Sequence, residues 1–190
     1  MESRRELILQ AASRCFARDG FHQTTISDIM RESGLSNGSV FLYFKTKDQL
    51  LSTVITRTVG NMAHLFRDLT RDCDDPAEAV LISIHAMSAL MKDPEKSDVV
   101  RLFPQIFSEL GRNQQLREKM AELFGEITTH FASLVRTAKK KGRIDARRPE
   151  LGTANLMVSL FEGYIIQRLN FGSYFDETEY FACVRAAFGK

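Results

Sequence analysis

Residues 25–51 read TISDIMRESGLSNGSVFLYFKTKDQLL, and this stretch decides the fold. Thr25 is a natural N-cap with Asp28 three residues on. Ile26, Ile29 and Met30 supply one apolar face, which predicts a helix of two turns. Ser33-Gly34-Leu35-Ser36 interrupts it, and a positive φ at such a turn is cheap only for glycine. Ser36 or Asn37 can cap a second short helix running through Val40 to Phe44. Thr46 can cap the next, with Asp48 favourable in its first turn. Helix, tight turn and helix make the layout of a helix-turn-helix. Ile29, Met30, Leu35, Val40 and Phe44 can pin the pair against a preceding helix, leaving the start of the second helix facing outward.

That preceding helix is legible upstream: Leu7/Ile8, Ala11/Ala12 and Cys15/Phe16 form an i, i+4 stripe that stops at Asp19-Gly20. Downstream, Leu50, Leu51, Val54, Ile55, Val59, Met62 and Phe66 describe a long fourth helix. Asp75-Pro76 opens another, with an N-cap followed by proline at the first helical position. Helical periodicity continues over 97–110, 114–141, 150–169 and 177–188, with no sustained strand alternation. The expected fold is all-α with about nine helices. A three-helix unit over 1–48 precedes a larger helical domain over 49–190, and the fourth helix connects them.

Composition narrows the function. Hydrophobic residues make up 44% of the 190, enough for a sizeable core. No run approaches the roughly 18 apolar residues of a membrane span, and the N-terminus lacks a signal-peptide layout, so a cytoplasmic protein without membrane contact is expected. Cys15, Cys73 and Cys183 are too scattered for a disulfide framework or a metal site. Residues 1–60 hold 8 Lys/Arg against 6 Asp/Glu, and the remainder is balanced, so the formal excess of +2 sits at the N-terminal end. Catalysis finds no support. Glu126 and His130 share a helix face without a third ligand, and Asp72-Cys73-Asp74-Asp75 reads as loop and cap. No phosphate-cradling loop or nucleophile elbow occurs, and neither a cofactor nor a metal is expected.

The outward part of the second short helix suits DNA. Ser36, Asn37 and Ser39 offer short polar groups, and Gly38 lets a backbone come close. Tyr43 can reach a phosphate oxygen and Lys47 can supply a cation, while Thr24 and Thr25 stand at another helix N-terminus. The same pattern also fits a plain αα-hairpin in a helical protein-binding module, and the residues alone leave both readings open.

Residues 4–51 resemble the N-terminal domain of the TetR family of bacterial regulators. The matching positions are Ile8-Leu9, Ala11-Ala12, Phe16, Gly20-Phe21, Thr24-Thr25-Ile26, Asp28-Ile29, Gly34, Ser36, Gly38, Tyr43-Phe44, Lys47 and Leu50-Leu51. The resemblance implies a three-helix DNA-binding domain on a helical domain that binds a small molecule and forms a homodimer, with effector binding releasing a palindromic operator. By position, Thr25, Ser36, Gly38, Tyr43 and Lys47 match the family's phosphate contacts, and Asn37, Ser39, Phe41 and Leu42 fall on its groove-facing helix. Two positions depart from the pattern: Phe41 stands where tyrosine is frequent, and Leu42 where histidine or tyrosine is. Both remove hydrogen-bonding groups, which shifts base readout toward thymine methyls and DNA shape. Whether the chain represses or activates is not written in these residues.

In the larger domain, residues 156–166 are apolar on nearly every side of a helix, so more than one face must be covered. Gly163 in mid-helix costs about 1 kcal/mol relative to alanine and suits a close helix approach. The resemblance pairs the last two helices with their mates in a dimer interface built from Leu156, Leu160, Gly163, Tyr164, Phe181, Val184 and Phe188. Met62, Phe66, Met87, Met91, Phe103, Phe107, Phe124, Phe131 and Phe161 supply the aromatic and methionine-rich wall of a pocket for a largely apolar effector, with Arg101, His85, His130 and Glu162 as candidate polar contacts.

Overall fold

Helix signals read from the sequence become helices with few changes. In the computed structural model, which describes residues 3–93 and 97–188, the described residues form ten α-helices and one 3-10 turn, with no strand. They are α1 (Arg4–Asp19), α2 (Ile26–Ser33), α3 (Asn37–Tyr43), α4 (Lys47–Leu69), α5 (Pro76–Lys92), α6 (Ser97–Arg101), α7 (Phe103–Leu110), α8 (Gln114–Lys140), α9 (Glu150–Phe171), the turn Gly172–Tyr174 and α10 (Glu177–Phe188). The helix expected over 97–110 is two helices. Pro104, the second residue of α7, has no N–H to continue a helix from the preceding turn, and the chain breaks at Leu102. Among the described residues no helix is long and apolar enough to cross a membrane.

The chain divides into two compact units, Met1–Gly60 with Leu90–Met120, and Asn61–Ala89 with Ala121–Lys190. The first is built around α1, whose Ile8, Leu9, Ala11, Ala12, Cys15 and Phe16 are almost fully buried, as are Ile29, Val40, Phe44, Leu50 and Leu51. Ion pairs brace it from outside. Glu32 of α2 accepts from Arg14 at 2.7 Å and from Arg18 at 3.3 Å, and Glu6 accepts from Arg57 of α4 at 2.6 Å. The hydrogen bond from Arg14 is the main reason the Glu32 carboxyl lies below the usual carboxylate range. α7 docks onto the α1–α2 turn in the same unit. Gln105 donates from Nε2 to the Phe16 carbonyl at 2.6 Å and accepts the Phe21 N–H on Oε1 at 3.1 Å. Glu109 lies 3.1 Å from His22. The turn and α7 therefore share one hydrogen-bonded seam.

In the second unit Phe66 and Phe161 meet edge to face at 4.6 Å, and Met62, Met87, Phe131 and Met157 are buried. α10 folds back on α9 through the rings of Tyr164, Phe175, Tyr180 and Phe181, whose centroids lie 5.1–6.4 Å apart. Burial pushes the Tyr164 and Tyr180 phenols up to about 12.

One polar contact here gives a pH signature. Thr70 donates its hydroxyl hydrogen to the Phe66 carbonyl at 2.7 Å, so at 2.7 Å from His130 Nε2 the same oxygen must accept, and His130 must be the donor. Burial, then the nearby Arg67, hold the imidazole below its ordinary 6.5. The folded state thus binds that proton less readily than the unfolded chain. The His130 contribution to stability is complete above about 6.5 and is lost as pH falls through the lower folded value. Urea midpoints should therefore drop from pH 7.5 to pH 5, and His130→Gln should flatten the part of the slope that begins near 6.5.

Candidate nucleic-acid interface

The exposed face of α2 and α3 follows from how each helix is capped. Thr25 and Asp28 form a reciprocal capping box: the Thr25 hydroxyl oxygen accepts the Asp28 N–H at 3.2 Å, and the Asp28 carboxylate accepts the Thr25 N–H at 2.9 Å. The Thr25 hydroxyl, then its N–H and Arg31, hold the Asp28 carboxyl below the usual carboxylate range. Gly34 ends α2 at φ 68°, the left-handed region that glycine enters without strain. The chain then turns into α3, where Ser36 is the N-cap residue.

On α3, Val40 is fully buried and Phe44, just beyond it, is 2% exposed. At about 100° per residue, Gly38 and Leu42 then lie opposite Val40, with Phe41 on one flank and Ser39 on the other. Ser36, Asn37, Gly38, Phe41, Leu42 and Tyr43 are all exposed, Leu42 at 68% and Phe41 at 40%. The structure thus gathers Asn37, Gly38, Ser39, Phe41, Leu42 and Tyr43 on one short helix with Ser36 at its start. Thr25 stands exposed at the start of α2. The Ser36 and Ser39 hydroxyls share a hydrogen bond of 3.2 Å, and the Tyr43 hydroxyl has no partner among the described residues.

Two nominated residues do other work. Thr24 is 1% exposed, and its hydroxyl donates to the carbonyls of Gly20 at 2.8 Å and Cys15 at 3.2 Å. It closes the end of α1, and its reading as a phosphate contact is corrected. Lys47 turns its ammonium inward to the carbonyls of Phe21, Thr24 and His22, at 2.9, 3.0 and 3.4 Å, and sits 4.4 Å above the Phe21 ring. It clasps the α1–α2 turn from the start of α4. Gln105 and Glu109, which hold the same turn from α7, were not foreseen; no local pattern marks a glutamine whose partners lie 84 and 89 residues away.

Gly38 gives a test of this face. A Cβ built there meets nothing within 4 Å, so Gly38→Ala should fold normally and gain up to about 1 kcal/mol of helix stability. The added methyl would stand between α3 and a groove, where overpacking of about 1–3 kcal/mol should lower DNA affinity about tenfold or more. Melting curves and gel shifts on the same preparation separate the two effects.

The nominated dimer residues are also sorted by burial. Tyr164, Val184 and Phe188 are 0–2% exposed within the single chain, and the Tyr164 hydroxyl donates to Glu177 at 2.6 Å. Their reading as partner contacts is corrected: all three are already buried within the single chain. Leu156 is 41% exposed, and Leu160, Gly163 and Phe181 remain partly open, beside exposed Ala182, Cys183 and Ala186. Of the pocket residues, Met62, Phe66, Met87, Phe124, Phe131 and Phe161 belong to the second unit, whereas Met91, Phe103 and Phe107 belong to the first, with Phe107 40% exposed.

Residues 8–54 match the model described as bacterial regulatory proteins, tetR family. The chain is 26% identical to the HTH-type transcriptional regulator YfiR of Bacillus subtilis, over 93% of this chain and 83% of that protein. It is 22% identical to the HTH-type transcriptional repressor BepR of Brucella suis, over 90% of this chain and 83% of the other. Its fold matches the transcriptional regulator FadR of Bacillus subtilis in complex with stearoyl-CoA. The TM-score is 0.77 at 18% identity, covering 95% of each chain.

Proposed function

We propose, from the match of residues 8–54 to the tetR-family model, that the chain is a TetR-family repressor that grips a palindromic operator as a homodimer and releases it when a small, largely apolar effector binds. The carrying observation is the exposed face of α3, where Leu42 and Phe41 stand free of the core on a short helix directly after a glycine turn. In this reading DNA binding resides in residues 1–48, and effector binding and dimerisation in 49–190. Thr25, Ser36, Gly38 and Tyr43 meet phosphates, and Asn37, Ser39, Phe41 and Leu42 meet base edges. The open side of α9 and α10, with Leu156, Leu160, Gly163 and Phe181, meets its copy. The effector enters the second unit among Met62, Phe66, Met87, Phe124, Phe131 and Phe161. The repressor named above and the neighbour bound to stearoyl-CoA support repression and an apolar effector as the assignment to test. Release is a population shift: an effector that binds better to the arrangement unable to hold DNA draws the equilibrium toward it.

The experiment is a genome-wide selection of DNA fragments by the purified protein, repeated with Tyr43→Phe. A recovered palindrome, bound more weakly as salt rises and about tenfold more weakly by the variant, supports the reading, since one charge-assisted hydrogen bond is worth about 1.5 kcal/mol. No enriched sequence with or without added fatty acyl compounds sinks it. Expression of the neighbouring genes in a deletion strain decides repression against activation.

A further inference from the structure

We propose that α3 reads the C5 methyl groups of pyrimidines, so that thymine and 5-methylcytosine are accepted at the same operator positions while uracil and cytosine are not. This rests on the DNA-binding reading above and adds what the helix recognises.

The outward stripe of α3 carries no hydrogen-bonding side chain at its centre. Opposite buried Val40 stand Gly38, which has no side chain, and Leu42, 68% exposed; Phe41 flanks them at 40%. Several polar groups nearby already hold partners. Ser39 shares its hydroxyl hydrogen bond with Ser36, and Lys45 donates its ammonium back to the Phe41 carbonyl at 3.1 Å. Arg31, on α2, is paired with Asp28 at 2.7 Å. Asn37 at the start of the helix and Tyr43 at its end remain for polar contacts.

In the major groove the C5 methyl of thymine is the apolar feature of a base edge, and every other distinction there is a donor or an acceptor. Leucine and phenylalanine side chains gain from burying that methyl and gain nothing from the oxygen beside it. 5-Methylcytosine carries the same methyl on the same ring carbon and differs from thymine by an amine in place of O4. The leucine and phenylalanine side chains, which have no donor or acceptor, do not tell the two apart. They do tell both from uracil and cytosine, which lack the methyl.

The test uses the full chain and an operator recovered by selection, with single thymines replaced by uracil and, separately, by cytosine or 5-methylcytosine paired to guanine. Burying one methyl is worth about fourfold in affinity, so a uracil at a read position should weaken binding about fourfold, and symmetric replacement in both half-sites about fifteenfold. 5-Methylcytosine there should bind more like thymine than like cytosine. Leu42→Ala and Phe41→Ala keep their fold, because both side chains are exposed, and should erase the uracil penalty. A selected operator that binds equally well with uracil at every thymine overturns the inference while leaving DNA binding intact. Failure to select any DNA overturns the regulator reading and this inference together.

Discussion

Lys47→Met is expected to lower the free energy of unfolding by about 3 kcal/mol, and to lose DNA binding because the reading head is no longer held. The ammonium meets three carbonyls of one turn, at 2.9, 3.0 and 3.4 Å, and stacks on the Phe21 ring. Hydrogen bonds to a charged group are worth about 1.5–3 kcal/mol each and are not additive, and carbonyls left facing one another without a donor add to the loss. Methionine keeps most of the stem's apolar contact and removes the donors alone. Lys47→Arg should recover little, since a planar fork does not reach three converging oxygens from the same stem. Urea unfolding followed by circular dichroism measures the first effect, and binding across a salt series the second. Were the ammonium principally a phosphate contact, the urea midpoint would stay in place. The slope of log K against log salt would then shrink by about one.

Phe161→Ala should cost about 3–5 kcal/mol, the range for truncating a buried phenylalanine. Phe161 is 5% exposed and its ring meets that of Phe66, 1% exposed, at 4.6 Å. Removing it takes away the edge-to-face contact and leaves a space lined by apolar side chains. Such a space stays dry and accepts a small aromatic guest, so benzene should restore part of the lost melting temperature. The measurement also bears on the proposed effector site. A loss below about 1.5 kcal/mol would mean that the ring already faces room for a ligand. The full loss would mean that an effector must part a closed pair.

Much of the fold was legible because its signals are local. The capping box of Thr25 and Asp28, the glycine at the α2–α3 turn and the apolar stripe of α1 each declare themselves within four residues. Neighbouring threonines show where locality ends: Thr25 caps α2 in the open, while Thr24 is buried because its hydroxyl finds carbonyls left over at the end of α1. Nothing in the pair itself distinguishes them. Lys47 was visible as a cation, but its partners lie 23 to 26 residues back and belong to tertiary structure. Pro104 was in plain view, and its effect on the helix over 97–110 follows from its missing N–H. The all-round apolar character of α9 demands cover on more than one side. α10 of the same chain supplies one cover, its Tyr180 and Phe181 packing on Tyr164, and Val184 and Phe188 of α10 are buried within the same chain.

The seam between the α1–α2 turn and α7 bears on how this protein can be taken apart. A graft of residues 1–48 onto a foreign sensor would leave behind Gln105, which satisfies the Phe21 N–H and the Phe16 carbonyl, and Glu109, which faces His22. The excised head would carry orphaned backbone groups at the turn that aims it. In a chimera the reader therefore travels with residues 97–112, so that Gln105 and Glu109 go with the turn they hold.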